Sequence, residues 1–139
     1  MGAKEHLEKY DIRPSIQRLA VMDYLLRHKT HPTVDEIYSA LNPVIPTLSK
    51  TTVYNTLKLF AEHGAALALS IEEKNLRFDG DTSVHAHFRC SECGEVFDFF
   101  PEQVPELLSL NKSEIDGFLI TETQVYYKGL CKSCAEKRK

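Results

Sequence analysis

Two CxxC pairs, Cys90-x-x-Cys93 and Cys131-x-x-Cys134, constrain this chain of 139 residues more than anything else in it. Four thiolates delivered by two such pairs can surround a tetrahedral zinc ion and leave no open position. The pairs lie far apart in sequence, so a shared site must tie a late strand back to an earlier one. Two disulfides or redox thiols are the alternatives. The grouping into pairs, with no apolar signal region at MGAKEHLEKY, favours metal over cystine.

A second group of ligand types crowds the stretch from Leu76 to Phe99: Asp79, His85, His87 and Asp98 flank or precede the first cysteine pair. In an extended segment alternate side chains share a face, so His85 and His87 project to one side. Two imidazoles with carboxylates arriving from both flanks make a coordination shell without sulfur, which suits Fe(II), Mn(II) or Zn(II). A lone histidine is more often structural or solvent-facing, and His6, His28 and His63 are read that way.

The chain is 42% hydrophobic and 27% charged, an ordinary globular balance. No apolar run approaches a membrane span, so the expectation is a soluble cytoplasmic protein with no membrane partner. Net charge is −3, and its distribution is uneven: residues 1–80 carry ten basic against ten acidic side chains, residues 81–139 seven against ten. Any nucleic-acid surface must therefore be local, and the asymmetry suggests two parts with separate jobs.

In the first part a lead-in helix up to residue 11 precedes a helix capped by Ser15, with Ile16, Leu19, Ala20, Met22 and Leu26 on its inner face. Thr33 and Glu36 have capping-box spacing at the head of the next helix, whose buried side is Val34, Ile37, Tyr38 and Leu41; Asn42-Pro43 and Pro46 end it. Ser49 caps a third helix over 50–63, closed by Gly64. Val53, Leu57 and Phe60 face inward, while Lys50, Thr51, Thr52, Tyr54, Asn55 and Lys58 line a face with no acid before Glu62. Two strands, 65–70 and 76–78, then flank a polar turn. Helix, turn, helix and hairpin make a winged helix-turn-helix, whose third helix would present polar side chains to base edges and phosphates. The plainer alternative is a helix with a solvated polar face. The second part reads as strands over 84–89, 95–99 and 118–128, a helix over 101–110 and a solvated EKRK tail. With Phe118, Ile120, Val125 and Tyr127 only partly buried, such a small α+β unit needs a structural metal and a partner subunit for stability.

These residues together resemble the ferric uptake regulator (Fur) superfamily of bacterial metal-dependent repressors. The resemblance runs through Arg13…Ser15-Ile16-Gln17-Arg18, His31-Pro32-Thr33…Ile37-Tyr38, Thr52-Val53-Tyr54-Asn55-Thr56-Leu57, Arg77-Phe78-Asp79, His85-x-His87 and both CxxC pairs. Within the superfamily the chain is most similar to the peroxide-sensing repressors (PerR), because Asp79 and Asp98 stand where iron-sensing relatives commonly carry Glu. The resemblance implies an α+β chain with a winged-helix DNA-binding domain over 1–80 and a small α/β dimerisation domain over 81–139. It also implies a homodimer stabilised by zinc on Cys90, Cys93, Cys131 and Cys134, bound to a palindromic double-stranded operator. Arg18, Ser49, Lys50, Thr51, Thr52, Tyr54, Asn55 and Lys58 are the implied DNA contacts.

The implied regulatory Fe(II) or Mn(II) site is His31, Asp79, His85, His87 and Asp98, with His31 and His85 the oxidation-sensitive ligands. Three positions depart from the family pattern. Ile16 replaces a proline before Gln-Arg, which loosens the expected helix start. Gly64-Ala65-Ala66 replaces Gly-Leu-Val, trimming the wing's packing, and Glu72-Glu73-Lys74 makes the wing turn acidic, which weakens its case for phosphate binding. Three other readings compete: a repressor sensing iron, manganese or zinc availability without self-oxidation, a non-haem iron enzyme using His85, His87 and a carboxylate, and a zinc-ribbon interaction module.

Overall fold

The structure, a computed structural model, describes residues 2–71 and 75–138; the acidic wing turn Glu72-Glu73-Lys74 lies outside them. The chain divides into two compact units, Met1–Thr82 and Ser83–Lys139. Among the described residues no helix is long and apolar enough to cross a membrane.

The first unit packs four helices on a two-stranded sheet. Helix α1 (Ala3–Lys9) buries Leu7, and α2 (Ile16–Arg27) begins where the Ser15 hydroxyl accepts the Arg18 amide at 3.2 Å. That cap starts the helix although proline is absent from its first position. Ile16 is nevertheless 79% exposed, against the inward position expected of it. The face that α1, α3 and α4 pack against centres on Val21, Met22 and Leu25, which turns Ile16 to solvent and leaves Leu19, Ala20 and Leu26 half-buried.

Helix α3 (Val34–Leu41) carries the full capping box: the Glu36 amide donates to Thr33 Oγ1 at 3.2 Å while Glu36 Oε1 accepts from the Thr33 amide at 3.3 Å. Helix α4 (Lys50–Glu62) starts at Ser49, whose Oγ accepts the Thr52 amide at 3.1 Å, and the chain leaves it through Gly64 at φ +80°. Val53, Thr56, Leu57 and Phe60 are its buried side. Strands β1 (Leu67–Leu69) and β2 (Arg77–Asp79) pair antiparallel, with Leu67 opposite Asp79. Ala65 and Ala66 are buried in the core despite their small size. At Gly80 a Cβ would meet Leu25 Cβ at 3.3 Å and Leu25 backbone at 3.4 Å, so the chain just beyond β2 runs hard against α2.

The second unit is built on a three-stranded sheet ordered β4-β3-β7: β4 (Val96–Phe99) runs antiparallel to β3 (Ala86–Cys90), and β7 (Tyr126–Gly129) runs parallel to it. Several expectations need correction. The strand read over 118–128 is two separate pieces: β6 (Phe118–Leu119) pairs with β5 (Glu114–Ile115), and only residues 126–129 join the main sheet. Asp116 (φ +49°) and Gly117 (φ +83°) form the two-residue turn between β5 and β6, both left-handed as such a hairpin requires. Phe118 is 71% exposed, not partly buried. The helix read over 101–110 shrinks to α5 (Leu107–Leu110), because two prolines confine the preceding residues to turns. The tail is helical as α6 (Lys132–Lys137), and Arg138 Nε donates to Glu92 Oε2 at 3.3 Å.

Leu57 is fully buried among the helices of the first unit. Leu57→Ala should cost about 3 kcal/mol of unfolding free energy, read by urea titration with far-UV circular dichroism. A loss under about 1 kcal/mol would contradict the packing described.

Candidate metal centres

Strand β3 ends at Cys90, and the tight turn back into β4 holds Cys93. The Gly94 amide donates to the Cys90 carbonyl at 2.9 Å, with Gly94 at φ +77°. On the other side β7 runs into Cys131, the N-cap of α6, whose first turns carry Cys134. All four sulfurs lie within 4.8 Å of one another, and none is in a disulfide. Cys93 and Cys131 stand 3.9 Å apart, far beyond an S–S bond of ~2.05 Å. Thiolates ~2.3 Å from a tetrahedral zinc stand roughly 3.8 Å apart, so the cluster has zinc spacing.

Its electrostatics are uneven. Cys90 Sγ accepts the Cys131 amide at 3.4 Å and the Cys93 amide at 3.5 Å, which holds its thiol down at about 6. The neighbouring Cys131 thiol and burial push Cys134 up to about 12. Cys90 is prepared as a thiolate, and Cys134 needs a cation to ionise beside it. Phe88 and Leu130 pack against Cys90, Cys131 and Cys134, while Cys93 is exposed.

The histidines and carboxylates form one group in each unit. In the second unit His87 is the cross-strand partner of Asp98, so both project from one face of the sheet. Asp98 Oδ1 lies 3.5 Å from His87 Nε2 and 3.7 Å from His85 Nε2. The imidazoles of His85 and His87 are 4.5 Å apart between centroids, as their alternation predicts. The His85 Nδ1–H donates to the Ser83 carbonyl at 2.7 Å, which leaves the Nε2 lone pair facing Asp98 and fixes the tautomer a metal needs. Phe100 stacks on His85 at 5.1 Å, and Tyr126 meets His87 edge-on at 6.3 Å.

In the first unit His31 Nε2 stands 3.5 Å from Asp79 Oδ2, with both side chains buried, and Asp79 Oδ1 accepts the Asp81 amide at 2.9 Å. His31 has a left-handed backbone, φ +59°. Contacts of 3.5–3.7 Å are too long for good hydrogen bonds. Two donors each ~2.1 Å from a common ion are roughly 3.0–3.6 Å apart, so these N···O spacings are at or just beyond what a shared divalent cation imposes.

Lys50, Thr51, Tyr54, Asn55 and Lys58 are exposed along α4, and Thr52 is half-buried with its hydroxyl 2.9 Å from Ser49 Oγ. Lys50 Nζ reaches Asp35 of α3 at 3.3 Å and lies over the Tyr38 ring. Arg18 is on α2, its guanidinium donating to the Arg13 carbonyl at 2.9 Å. The other histidines are structural: His6 Nε2 bonds the Ala65 carbonyl, His63 Nδ1 the Tyr10 carbonyl and His28 Nδ1 the Tyr24 carbonyl. The Ser83 carbonyl left no trace in the sequence because it acts through the backbone. Arg77 did leave one, in the Arg-Phe-Asp motif, yet its side chain went unassigned.

A model of the ferric uptake regulator family matches residues 9–128. The peroxide-responsive repressor PerR of Staphylococcus epidermidis is 38% identical over 131 residues, 94% of this chain and 87% of that protein. Among solved structures, the Campylobacter jejuni peroxide stress regulator is 28% identical and superposes with a TM-score of 0.71 over 94% of this chain and 95% of its own. The Pseudomonas aeruginosa ferric uptake regulator with manganese gives a TM-score of 0.74 over 95% and 99% at 20% identity, a likeness of fold.

The thiol cluster makes a direct prediction. The purified chain should contain stoichiometric zinc by atomic emission, and Cys134→Ser should bring that close to zero. Full zinc retention in the variant would show that the cluster does not ligate the ion.

Proposed function

The chain belongs to the ferric uptake regulator family, and on that premise we propose that it is a cytoplasmic, metal-dependent transcriptional repressor released from DNA by hydrogen peroxide. The observation that carries the reading is the use of aspartate, not glutamate, in both His/carboxylate groups: Asp79 and Asp98 each hold an oxygen 3.5 Å from an imidazole Nε2. In this reading residues 1–82 bind DNA and residues 83–139 form the dimer. His31, Asp79, His85, His87 and Asp98 would converge on one Fe(II) or Mn(II) ion, while the four cysteines hold zinc permanently.

An ion ligated from both units would fix their relative placement. It would then favour the dimer conformer whose two α4 helices reach successive major-groove faces, about 34 Å apart. Metal is an effector to the extent that it binds this conformer better. On α4, Tyr54 and Asn55 would meet base edges and Lys50, Thr51, Thr52 and Lys58 the phosphates, with Ser49 and Arg18 at the periphery. The exposed Lys50–Asp35 pair is worth about 0–1 kcal/mol, little enough for Lys50 to exchange its partner for a phosphate.

Bound Fe(II) would activate the peroxide and end the step as Fe(II), the two electrons coming from a histidine ring. The chain supplies the acceptor: one peroxide oxygen adds to the ring carbon between the nitrogens of His31 or His85, replacing its hydrogen, and the other leaves as water. The oxidised ring is a poor ligand, so the metal is lost and the operator freed. The zinc-containing chain, loaded anaerobically with Fe(II) and given limited peroxide, should gain one oxygen on the tryptic peptide 30–50 or 78–89. The oxygen should map to histidine and be absent with Mn(II). If both peptides stay unmodified while Fe(II) still promotes operator binding, the protein senses metal availability instead.

Homodimer formation is supported by Leu108, Leu110, Ile115, Phe118 and Leu119, an exposed apolar group in a single small unit. Leu119, 83% exposed on β6, is the residue to alter without disturbing the fold. Leu119→Asp should run as a monomer in light scattering and lose affinity for a palindromic duplex selected from a random pool. A variant that stays dimeric with full affinity would remove this surface from the interface.

A further inference from the structure

His31 holds a conformation that its own chemistry disfavours. At φ +59° a side chain with a Cβ crowds its own backbone, and only neighbouring contacts can hold it there. The segment is strapped to β2. The Phe78 amide donates to the Pro32 carbonyl at 2.9 Å, and Thr33 forms an antiparallel bridge with Arg77. The remaining strap is a side chain. Arg77 Nη1 donates to the His31 carbonyl at 3.1 Å and lies 3.8 Å from Glu36 Oε1.

That same Glu36 oxygen closes the capping box of α3, accepting from the Thr33 amide and from Thr33 Oγ1 at 3.2 Å. The Arg77 side chain is only 19% exposed. It joins three things: the carbonyl of a left-handed histidine, the cap of α3, and the strand that two residues later presents Asp79 to the same histidine.

We propose that Arg77 is the positioning residue for His31, holding its backbone left-handed so that Nε2 faces Asp79, with Glu36 as the anchor of the guanidinium. A relaxation of residue 31 to negative φ would redirect its Cα–Cβ bond and take the imidazole away from Asp79. A planar guanidinium addresses a carbonyl and a carboxylate at once, whereas an ammonium concentrates its charge at one point. The proposal rests on the reading of His31 as a metal ligand, and the test separates the two.

Mn(II) affinity is measured by the paramagnetic resonance of free ion on zinc-containing full-length chains: wild type, R77Q, R77K, E36Q and H31A. R77Q should weaken binding by roughly tenfold, the scale of losing a partner that orients a ligand, with R77K intermediate and zinc content unchanged. E36Q keeps a residue that can close the capping box but removes the charge, and should weaken binding by about threefold. After Fe(II) and peroxide, oxygen in R77Q should shift from peptide 30–50 to the peptide carrying His85, which then begins at Asn75 because the Arg77 cleavage is lost. A merely structural role would lower the melting temperature and leave that distribution alone.

If H31A weakens Mn(II) binding while R77Q matches wild type in affinity and in oxygen distribution, the positioning role is overturned and the ligand survives. If H31A binds Mn(II) like wild type, His31 is not a ligand and both readings fall. Should R77Q fail to fold, R77K and E36Q decide, and wild-type affinity in both overturns the proposal.

Discussion

The register of β3 is the constraint on which the second unit depends. One strand of five residues has a histidine near its start and a cysteine at its end, and each must meet partners on different neighbours. Antiparallel pairing with β4 sets His87 opposite Asp98, and parallel pairing with β7 sets Cys90 opposite Gly129, immediately before Leu130 and Cys131. A slip of one residue against β4 would send Asp98 to the other face from His87; a slip against β7 would move Cys131 away from Cys90. The sheet's other face resists such slips through aromatic contacts, Phe88 with Phe97 and Phe99, and Phe99 with Tyr127. A zinc ion on the four cysteines would therefore do more than staple a small unit. It would lock the strand that aims His87.

The first unit places His31 and Asp79 by a different device. Asp79 ends a strand that Gly80 lets run against α2, and Phe78, with Ala68 opposite it, turns the other face of that strand into the helical core. His31 lies in a connection, where backbone strain is tolerated only if hydrogen bonds from β2 oppose it. Two donors that do so, the Phe78 amide and the Arg77 guanidinium, belong to the strand that carries Asp79. Histidine and carboxylate are thus fixed to one frame, and α3 begins from that frame at Thr33.

Features coded by local spacing were legible in the sequence. The Thr33/Glu36 box, the Ser15 and Ser49 caps, the α4 face of Val53, Leu57 and Phe60, the CxxC pairs and the shared side of His85 and His87 all follow from periodicity or chemistry within a few residues. What was misread depended on tertiary choice. Ile16 continues an apolar pattern but points outward because the packing face centres on Val21, Met22 and Leu25. The alternation over 118–128 suggested one strand, yet Asp116-Gly117 was a hairpin turn in plain sight, and pairing with β5 took Phe118 and Leu119 off the main sheet. The left-handed His31 could not be read, since nothing in its side chain favours that conformation. The Arg77 side chain that supports it becomes meaningful only once β2 lies beside the His31 segment.

The division between the two ligand sets has a chemical logic. Thiolates are soft, strongly donating ligands, and four of them close a tetrahedral shell, so an ion held by Cys90, Cys93, Cys131 and Cys134 has no site for exchange or for substrate. Imidazole and carboxylate ligands are harder and hold Fe(II) or Mn(II) less firmly. In the proposed function a set composed of His31, Asp79, His85, His87 and Asp98 would balance a divalent charge with two carboxylates and leave the imidazoles neutral. Loss of a single imidazole from such a set is then enough to release the ion, while the thiolate site keeps the sheet intact. In the proposed function the oxidisable, exchangeable ligands would be histidines and the permanent ones cysteines, because a sensor must lose its metal without losing its fold.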